Sequence, residues 1–143
     1  MQVCEAMSTP VQIVLPNHTI QQAAQLMLQV DSGALPVGDR DRLVGMITDR
    51  DIALRAVAGG KGPETLVRDV MSGEVMYCFD DEDIEHVAHN MGELQVRRLP
   101  VVNRDKELVG ILSLGDVATL HGSGAAGSAL GDISQPGGAH TRI

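Results

Sequence analysis

The chain has 143 residues, enough for one domain or two very small ones, with 43% hydrophobic and 21% charged residues, as in a soluble globular protein. Its formal charge of −8 disfavours nucleic-acid binding, because an acidic surface repels phosphate backbones. No apolar run approaches the ~20 residues of a membrane helix, the start Met-Gln-Val-Cys-Glu lacks a secretion signal, and two cysteines, Cys4 and Cys78, make no disulfide framework, so a reduced cytoplasmic protein is expected.

In chain order, a short helical turn is expected over residues 3–7, then an apolar, strand-like run over 11–15. Thr19 as N-cap, with Gln22 in the capping-box position, opens a helix. Its apolar residues Ile20, Ala23, Ala24, Met27 and Val30 fall at helical spacing. Strands over 34–38 and 42–48 follow around the polar turn Asp39-Arg40-Asp41, and a second helix starts at Thr48. Gly59-Gly60-Lys61-Gly62-Pro63 reads as a linker. The order then recurs: a helical turn over 66–71, an apolar run over 75–79, and an acidic helix start over 80–83, where the helix dipole favours negative charge. A helix carrying Ile84, Val87, Ala88, Met91 and Leu94 follows, then strands over 98–102 and 107–112, and a second helix from Ser113. From Gly122 the Gly, Ala and Ser content rises and periodicity disappears, which predicts a flexible tail over 122–143.

The recurrence is a tandem duplication. Met7-Ser8 returns as Met71-Ser72, an offset of 64 residues that also relates Ile20 to Ile84, Ala24 to Ala88, Met27 to Met91 and Leu35-Pro36-Val37 to Leu99-Pro100-Val101. After a one-residue insertion, Leu43-Val44-Gly45 matches Leu108-Val109-Gly110 and Asp51 matches Asp116. The organisation expected is repeat 1 over 1–58, a linker over 59–64, repeat 2 over 65–121, then the tail. The fold class is α+β, two β-α-β-β-α repeats. Each repeat has under ~60 residues, too few to bury an adequate core alone, so the two should pack sheet to sheet with pseudo-twofold symmetry and leave two clefts.

At each strand-to-helix junction stands one pattern: Gly, two apolar residues, a Ser or Thr, two variable residues, then Asp. The copies are Gly45-Met46-Ile47-Thr48-Asp49-Arg50-Asp51 and Gly110-Ile111-Leu112-Ser113-Leu114-Gly115-Asp116. An ionised carboxylate can accept from the adjacent 2′ and 3′ hydroxyls of a ribose, and a hydroxyl one turn earlier can join that network. The same pattern is also an ordinary helix cap. The two roles can coexist.

The duplicated Asp-Val-Met-Ser of 69–72, the Leu-Pro-Val strands and Gly-Met-Ile-Thr-Asp-Arg-Asp together resemble tandem CBS-domain (Bateman module) proteins of the stand-alone bacterial type, over residues 3–121. The resemblance implies a regulatory module that binds AMP, ADP, ATP or S-adenosylmethionine and forms disc-shaped homodimers. It implies that Thr48 and Asp51 hold ribose in one cleft and Ser113 and Asp116 in the other. Val11 and Ile13, or Val75 and Tyr77, would line the adenine pocket, with Met46 and Ile111 packing on the base. Arg97 and Arg98 stand where such proteins place phosphate-facing cations, whereas the first copy has Gly33 and Ala34, so the two clefts are inequivalent. Arg50 and Arg55 are further phosphate candidates, although exposed helix arginines are the plainer reading.

Glu82, His86 and His89 share one helix face at a spacing that could offer metal ligands, but nothing is placed to complete a site, and a solvated face with no metal is expected. The Met residues fall mostly at core positions. No Walker-type loop and no nucleophile triad is present, so catalysis is not expected. The function expected is adenosyl-ligand sensing, signalled to an unknown effector protein in trans, with no cofactor, nucleic acid or membrane. The alternative is a ligand-free structural or interaction dimer.

Overall fold

The computed structural model describes residues 1–136. It contains strands β1 (Ala34–Asp39), β2 (Arg42–Thr48), β3 (Cys78–Phe79), β4 (Arg98–Val102) and β5 (Leu108–Ser113). Its helices are α1 (Ile20–Val30), α2 (Asp49–Asp51), α3 (Ile84–Leu94), α4 (Leu114–Leu120) and α5 (Ser123–Ile133), with 3-10 turns at Val3–Glu5 and Val67–Asp69 and a π-helical stretch at Ile52–Val57. The described chain folds as two compact units: Gln12–Val75, which holds the first repeat, and Met1–Val11 together with residues 76–136, which holds the second.

In the first-repeat unit, Gln22 N donates to Thr19 Oγ1 at 3.1 Å and Thr19 N donates to Gln22 Oε1 at 2.8 Å, so the capping box fixes the start of α1. Ile20, Ala23 and Met27 on the inner face of α1 pack with Leu35 and Val37 of β1 and Ile47 of β2. β1 and β2 form an antiparallel hairpin with Ala34 opposite Thr48 and Pro36 opposite Met46. Arg40 and Asp41, both at positive φ (53° and 63°), make its tight turn. The run over 11–15 is not a full strand. It contributes one parallel bridge, Val14 beside Val37, bracketed by Pro10 and Pro16, which have no N–H to donate. The helix after β2 starts as α2 and widens into the π-helical stretch, whereas its second-repeat counterpart, α4, is a regular helix.

In the second-repeat unit, β3 pairs parallel with β4 (Cys78 beside Val101), and β4 pairs antiparallel with β5 (Arg98 opposite Ser113, Pro100 opposite Ile111). Leu99, Val101 and Leu112 turn into a core shared with Ile84, Val87 and Met91 of α3 and Val117 of α4. Strand alternation then places Arg98, Pro100, Ile111 and Ser113 together on the opposite face. Asp83 caps α3 by accepting from Glu85 N and His86 N.

The compact units are out of phase with the sequence repeats. Ser8, which opens repeat 1 in the sequence, pairs with β5 of the second repeat: Ser8 N donates to Ile111 O at 2.8 Å and Ile111 N to Ser8 O at 3.2 Å. Ser72 pairs in the same way with Met46 of the first repeat, at 2.9 and 3.1 Å. The glycine of each motif makes room for this exchange. A Cβ on Gly45 would lie 2.7 Å from Met71 Sδ and 2.7 Å from Ser72 O, and one on Gly110 would lie 2.7 Å from Met7 Sδ. The duplicated Met-Ser and the duplicated Gly are therefore two halves of one contact, made once in each unit.

The segment following Gly122 corrects the expectation of a flexible tail over 122–143. Residues 123–133 form α5, which packs on α3 and α4 and buries Ala126, Ala129 and Ile133. Small residues permit this docking: at Gly92 a Cβ would meet Asp132 Oδ2 at 2.8 Å and Ala129 Cα at 3.1 Å. The remainder of the predicted tail, 137–143, lies outside the described residues.

The two cysteines occupy opposite environments. Cys78 is buried, and desolvation, reinforced by Glu82 and Asp80, pushes its thiol up to about 12. Cys4 is exposed. A thiol reagent at neutral pH should therefore label one cysteine per native chain quickly, with Cys78 reacting only on unfolding. Mass spectrometry of the labelled native protein checks this, and rapid double labelling would contradict it.

Candidate functional site

Each unit carries one corner where a β-hairpin turns into a helix. In the first-repeat unit, Thr48 is the N-cap of α2: Asp51 N donates to Thr48 Oγ1 at 3.0 Å, and Thr48 N donates to Asp51 Oδ2 at 2.9 Å. The second-repeat unit repeats the arrangement. Asp116 N donates to Ser113 Oγ and Ser113 N donates to Asp116 Oδ2, both at 3.0 Å. All four residues are half-buried. The carboxylates thus fill the capping-box role that Glu or Gln usually plays.

The cap leaves chemistry unspent. It uses one carboxylate oxygen and one lone pair of the hydroxyl, so each hydroxyl keeps a proton to donate and each carboxylate keeps its other oxygen, Oδ1. In the second-repeat unit, Asp116 Oδ1 has no hydrogen-bond partner among the described residues. In the first-repeat unit, Arg55 Nε stands 3.7 Å from Asp51 Oδ1, and the same guanidinium donates to Val70 O and Met71 O at 3.4 Å. Arg55 is therefore tied to its own unit. Its repeat counterpart is the exposed Leu120, so the two corners differ in how open their carboxylate is.

The hairpin registers set apolar groups beside each corner. Pro100 opposite Ile111 forms the row one step inward from Arg98 and Ser113, and Tyr77, next to the core-facing Cys78, falls on the same face as Pro100. Pro36 opposite Met46 forms the matching row in the first-repeat unit, with Ile13 beside the bridged, core-facing Val14. Tyr77 is 39% exposed and meets Phe79 edge to face at 5.6 Å. Arg104 lies 4.1 Å over the Phe79 ring and grips Asp81 through two bonds of 2.7 and 2.8 Å. Those bonds hold the Asp81 carboxyl below the usual carboxylate range.

Among the predicted site residues, Ser113, Asp116, Ile111, Tyr77, Arg97 and Arg98 share the second-repeat unit, and Thr48, Asp51, Met46 and Ile13 share the first. Val11 lies in the second-repeat unit and Val75 in the first, so Val11 is separated from Ile13 and Val75 from Tyr77 by the boundary between units. Arg50 is exposed, and its N–H donates to Asp49 Oδ1 at 2.8 Å. Glu82, His86 and His89 do not converge: His86 contacts Asn90 at 3.3 Å and His89 pairs with Glu93 at 3.1 Å. Sequence reasoning missed Pro36, Pro100, Phe79 and Arg104. The repeated Leu-Pro-Val signalled the prolines, but it does not say which face a residue takes.

Two capped hydroxyl–carboxylate corners on a duplicated hairpin-and-helix unit define a tandem-repeat α+β module. The CBS-domain family model matches residues 3–57 and 67–121, and the chain belongs to that family. It is 47% identical over 133 residues to the CBS domain-containing protein YhcV of Bacillus subtilis, covering 92% of this chain and 94% of that one. A crystal structure of Hypoxic Response Protein I with two coordinated zinc ions is similar, with a TM-score of 0.77 and 37% identity over 84% of this chain and 98% of that one. The CBS domain pair of protein MJ0100, in complex with 5′-methylthioadenosine and S-adenosylmethionine, gives a TM-score of 0.76 and 30% identity over 85% of this chain and 95% of that one.

Proposed function

We propose that this chain is a regulatory ligand-sensing module that binds an adenosyl ligand (AMP, ADP, ATP or S-adenosylmethionine) at its hydroxyl–carboxylate corners and signals to a partner protein in trans. The observation that carries the reading is the uncommitted Oδ1 of Asp116, held in place by the cap and flanked by the Ser113 hydroxyl. A pre-oriented acceptor pair of this kind suits two adjacent sugar hydroxyls, since the cap has already fixed the rotamers. Exposed Tyr77 and half-buried Ile111 offer apolar surface for the base, and the MJ0100 domain pair holds two ligands of the adenosyl class. Binding would shift the population of module conformations, and a partner would read the shift.

In this role the module regulates rather than catalyses and needs no cofactor. Exposed Leu28 (83%) and Val57 (66%) on the first-repeat unit suit a homodimer contact. Free Cys4 and Cys78 fit the reducing cytoplasm. The complete capping boxes favour one other reading, a ligand-free interaction dimer in which the corners only cap helices. Isothermal titration with AMP, ADP, ATP and S-adenosylmethionine separates the two. Saturable binding of at least one is expected, and no heat from any of the four would leave only the scaffold.

A further inference from the structure

The helix that follows the first-repeat corner departs from regular geometry. Over Ile52–Val57 it is π-helical, with Ala58 N donating to Ala53 O at 3.0 Å, whereas α4 is a regular α-helix. Widened turns of this kind are rare and frequently mark functional sites. Arg55 stands in the stretch and reaches two ways. Its Nε lies 3.7 Å from Asp51 Oδ1, the carboxylate oxygen that the cap leaves over. Its Nη1 donates to Val70 O and Met71 O, both at 3.4 Å, 15 and 16 positions along the chain. An acid–arginine pair one helical turn apart is an ordinary surface contact, but the two distant carbonyls are not part of it. They belong to the residues just before Ser72, whose main-chain exchange with Met46 holds the apolar row of this corner. One side chain thus joins the candidate sugar acceptor to the segment that supports Met46. All three contacts are long. A hydroxyl bonded to a carboxylate approaches to about 2.7 Å, so a diol can take Oδ1 from the guanidinium. The Asp51 side chain is only 15% exposed, which leaves few directions for both to share.

We propose that Arg55 is an internal competitor for the sugar at the first-repeat corner and the residue that reports the sugar's arrival. In the empty corner it holds Asp51 Oδ1. A ligand diol that takes this oxygen displaces the guanidinium, the carbonyls of Val70 and Met71 lose their donor, and the segment paired with Met46 loosens. The inference rests on the sugar-corner reading above and adds to it the side chain that answers the ligand.

Isothermal titration with AMP and with S-adenosylmethionine tests the proposal on the full chain carrying Asp116→Asn, so that the second-repeat corner, stripped of its charged acceptor, contributes little. Arg55→Leu and Arg55→Gln are compared in that background, with melting temperatures recorded alongside. Glutamine keeps an amide donor for a carbonyl and loses the charge, which guards against a leucine variant that fails to fold. Arg55→Leu should melt lower yet bind at least one of the two ligands about threefold or more tighter, and Arg55→Gln should move in the same direction. The 2′,3′-dideoxy analogue of AMP should gain nothing, because it has no diol to compete for Oδ1. With Arg55 present, saturating ligand should speed hydrogen exchange over residues 70–72, and Arg55→Leu should abolish that response. An arginine of purely structural use would lower stability without raising affinity. Affinities unchanged or weakened in both variants, a dideoxy analogue that gains as much as AMP, or exchange that ignores the ligand overturns the role of Arg55 alone. Failure of both ligands to bind the unmodified chain overturns the sugar-corner reading and this inference with it.

Discussion

A Gly45→Val variant is expected to melt more than ~10 °C below the parent protein, for a stability loss of about 4 kcal/mol. The Cβ alone would stand 2.7 Å from both Met71 Sδ and Ser72 O. The sulfur can swing aside, but Ser72 O is backbone, and it accepts from Met46 N at 3.1 Å. Moving it breaks that bond and the return bond from Ser72 N, each worth about 1 kcal/mol, in addition to the overpacking cost of about 1–3 kcal/mol. Adding Met71→Ala should recover only part of the loss. Gly124→Ala is the matched control: its Cβ would meet nothing within 4 Å, and alanine in a helix is favoured by up to about 1 kcal/mol. Thermal melts of the parent and the three variants decide the matter, and a Gly45→Val melting point within a degree of the parent would show that the Met-Ser exchange is not tightly packed.

The second large effect is on binding. Asp116→Asn keeps an oxygen to accept from Ser113 N but replaces the other carboxylate oxygen with an amide NH2, which donates and cannot accept from a diol. Hydrogen bonds to a charged acceptor contribute about 1.5–3 kcal/mol each, so losing both should weaken ligand binding at that corner by about 100-fold or more. Stability should fall by no more than about 1 kcal/mol, because the cap survives. Alanine at 116 would remove cap and acceptor together and confuse the two roles. Titration calorimetry beside a thermal melt reads both quantities, and unchanged affinity in Asp116→Asn would reduce the carboxylate to a helix cap.

Much of this architecture was legible in the sequence because duplication repeats every signal. The Thr19/Gln22 capping box, the strand over 42–48 and the strand over 98–102 all stand where their residues indicate. The corner was legible too, and so was its ambiguity, since Thr48 and Asp51 cap a helix with the same atoms that suit a sugar. What could not be read was placement between units. Periodicity reports which face of an element is apolar but not which neighbour covers it, so the pairing of Ser8 with Ile111 and Ser72 with Met46 left no trace beyond the repeated Met-Ser and Gly. Helix α5 escaped for a different reason. Three of its eleven residues, Gly124, Gly127 and Gly131, are glycines and poor helix formers, and its stability comes from docking at Gly92, a contact that no local pattern encodes. Arg55 likewise read as an exposed helix arginine, because its bonds to Val70 O and Met71 O depend on the segment after the linker returning to the first repeat.

The most direct measurement compares AMP with its 2′,3′-dideoxy analogue by titration calorimetry on the full chain. The two ligands share base and phosphate and differ only in the hydroxyls that Ser113 and Asp116 would hold. Saturable AMP binding with a loss of about 100-fold or more for the analogue is the predicted result. Equal affinity for both would contradict it, because the corners would then play no part in holding the sugar.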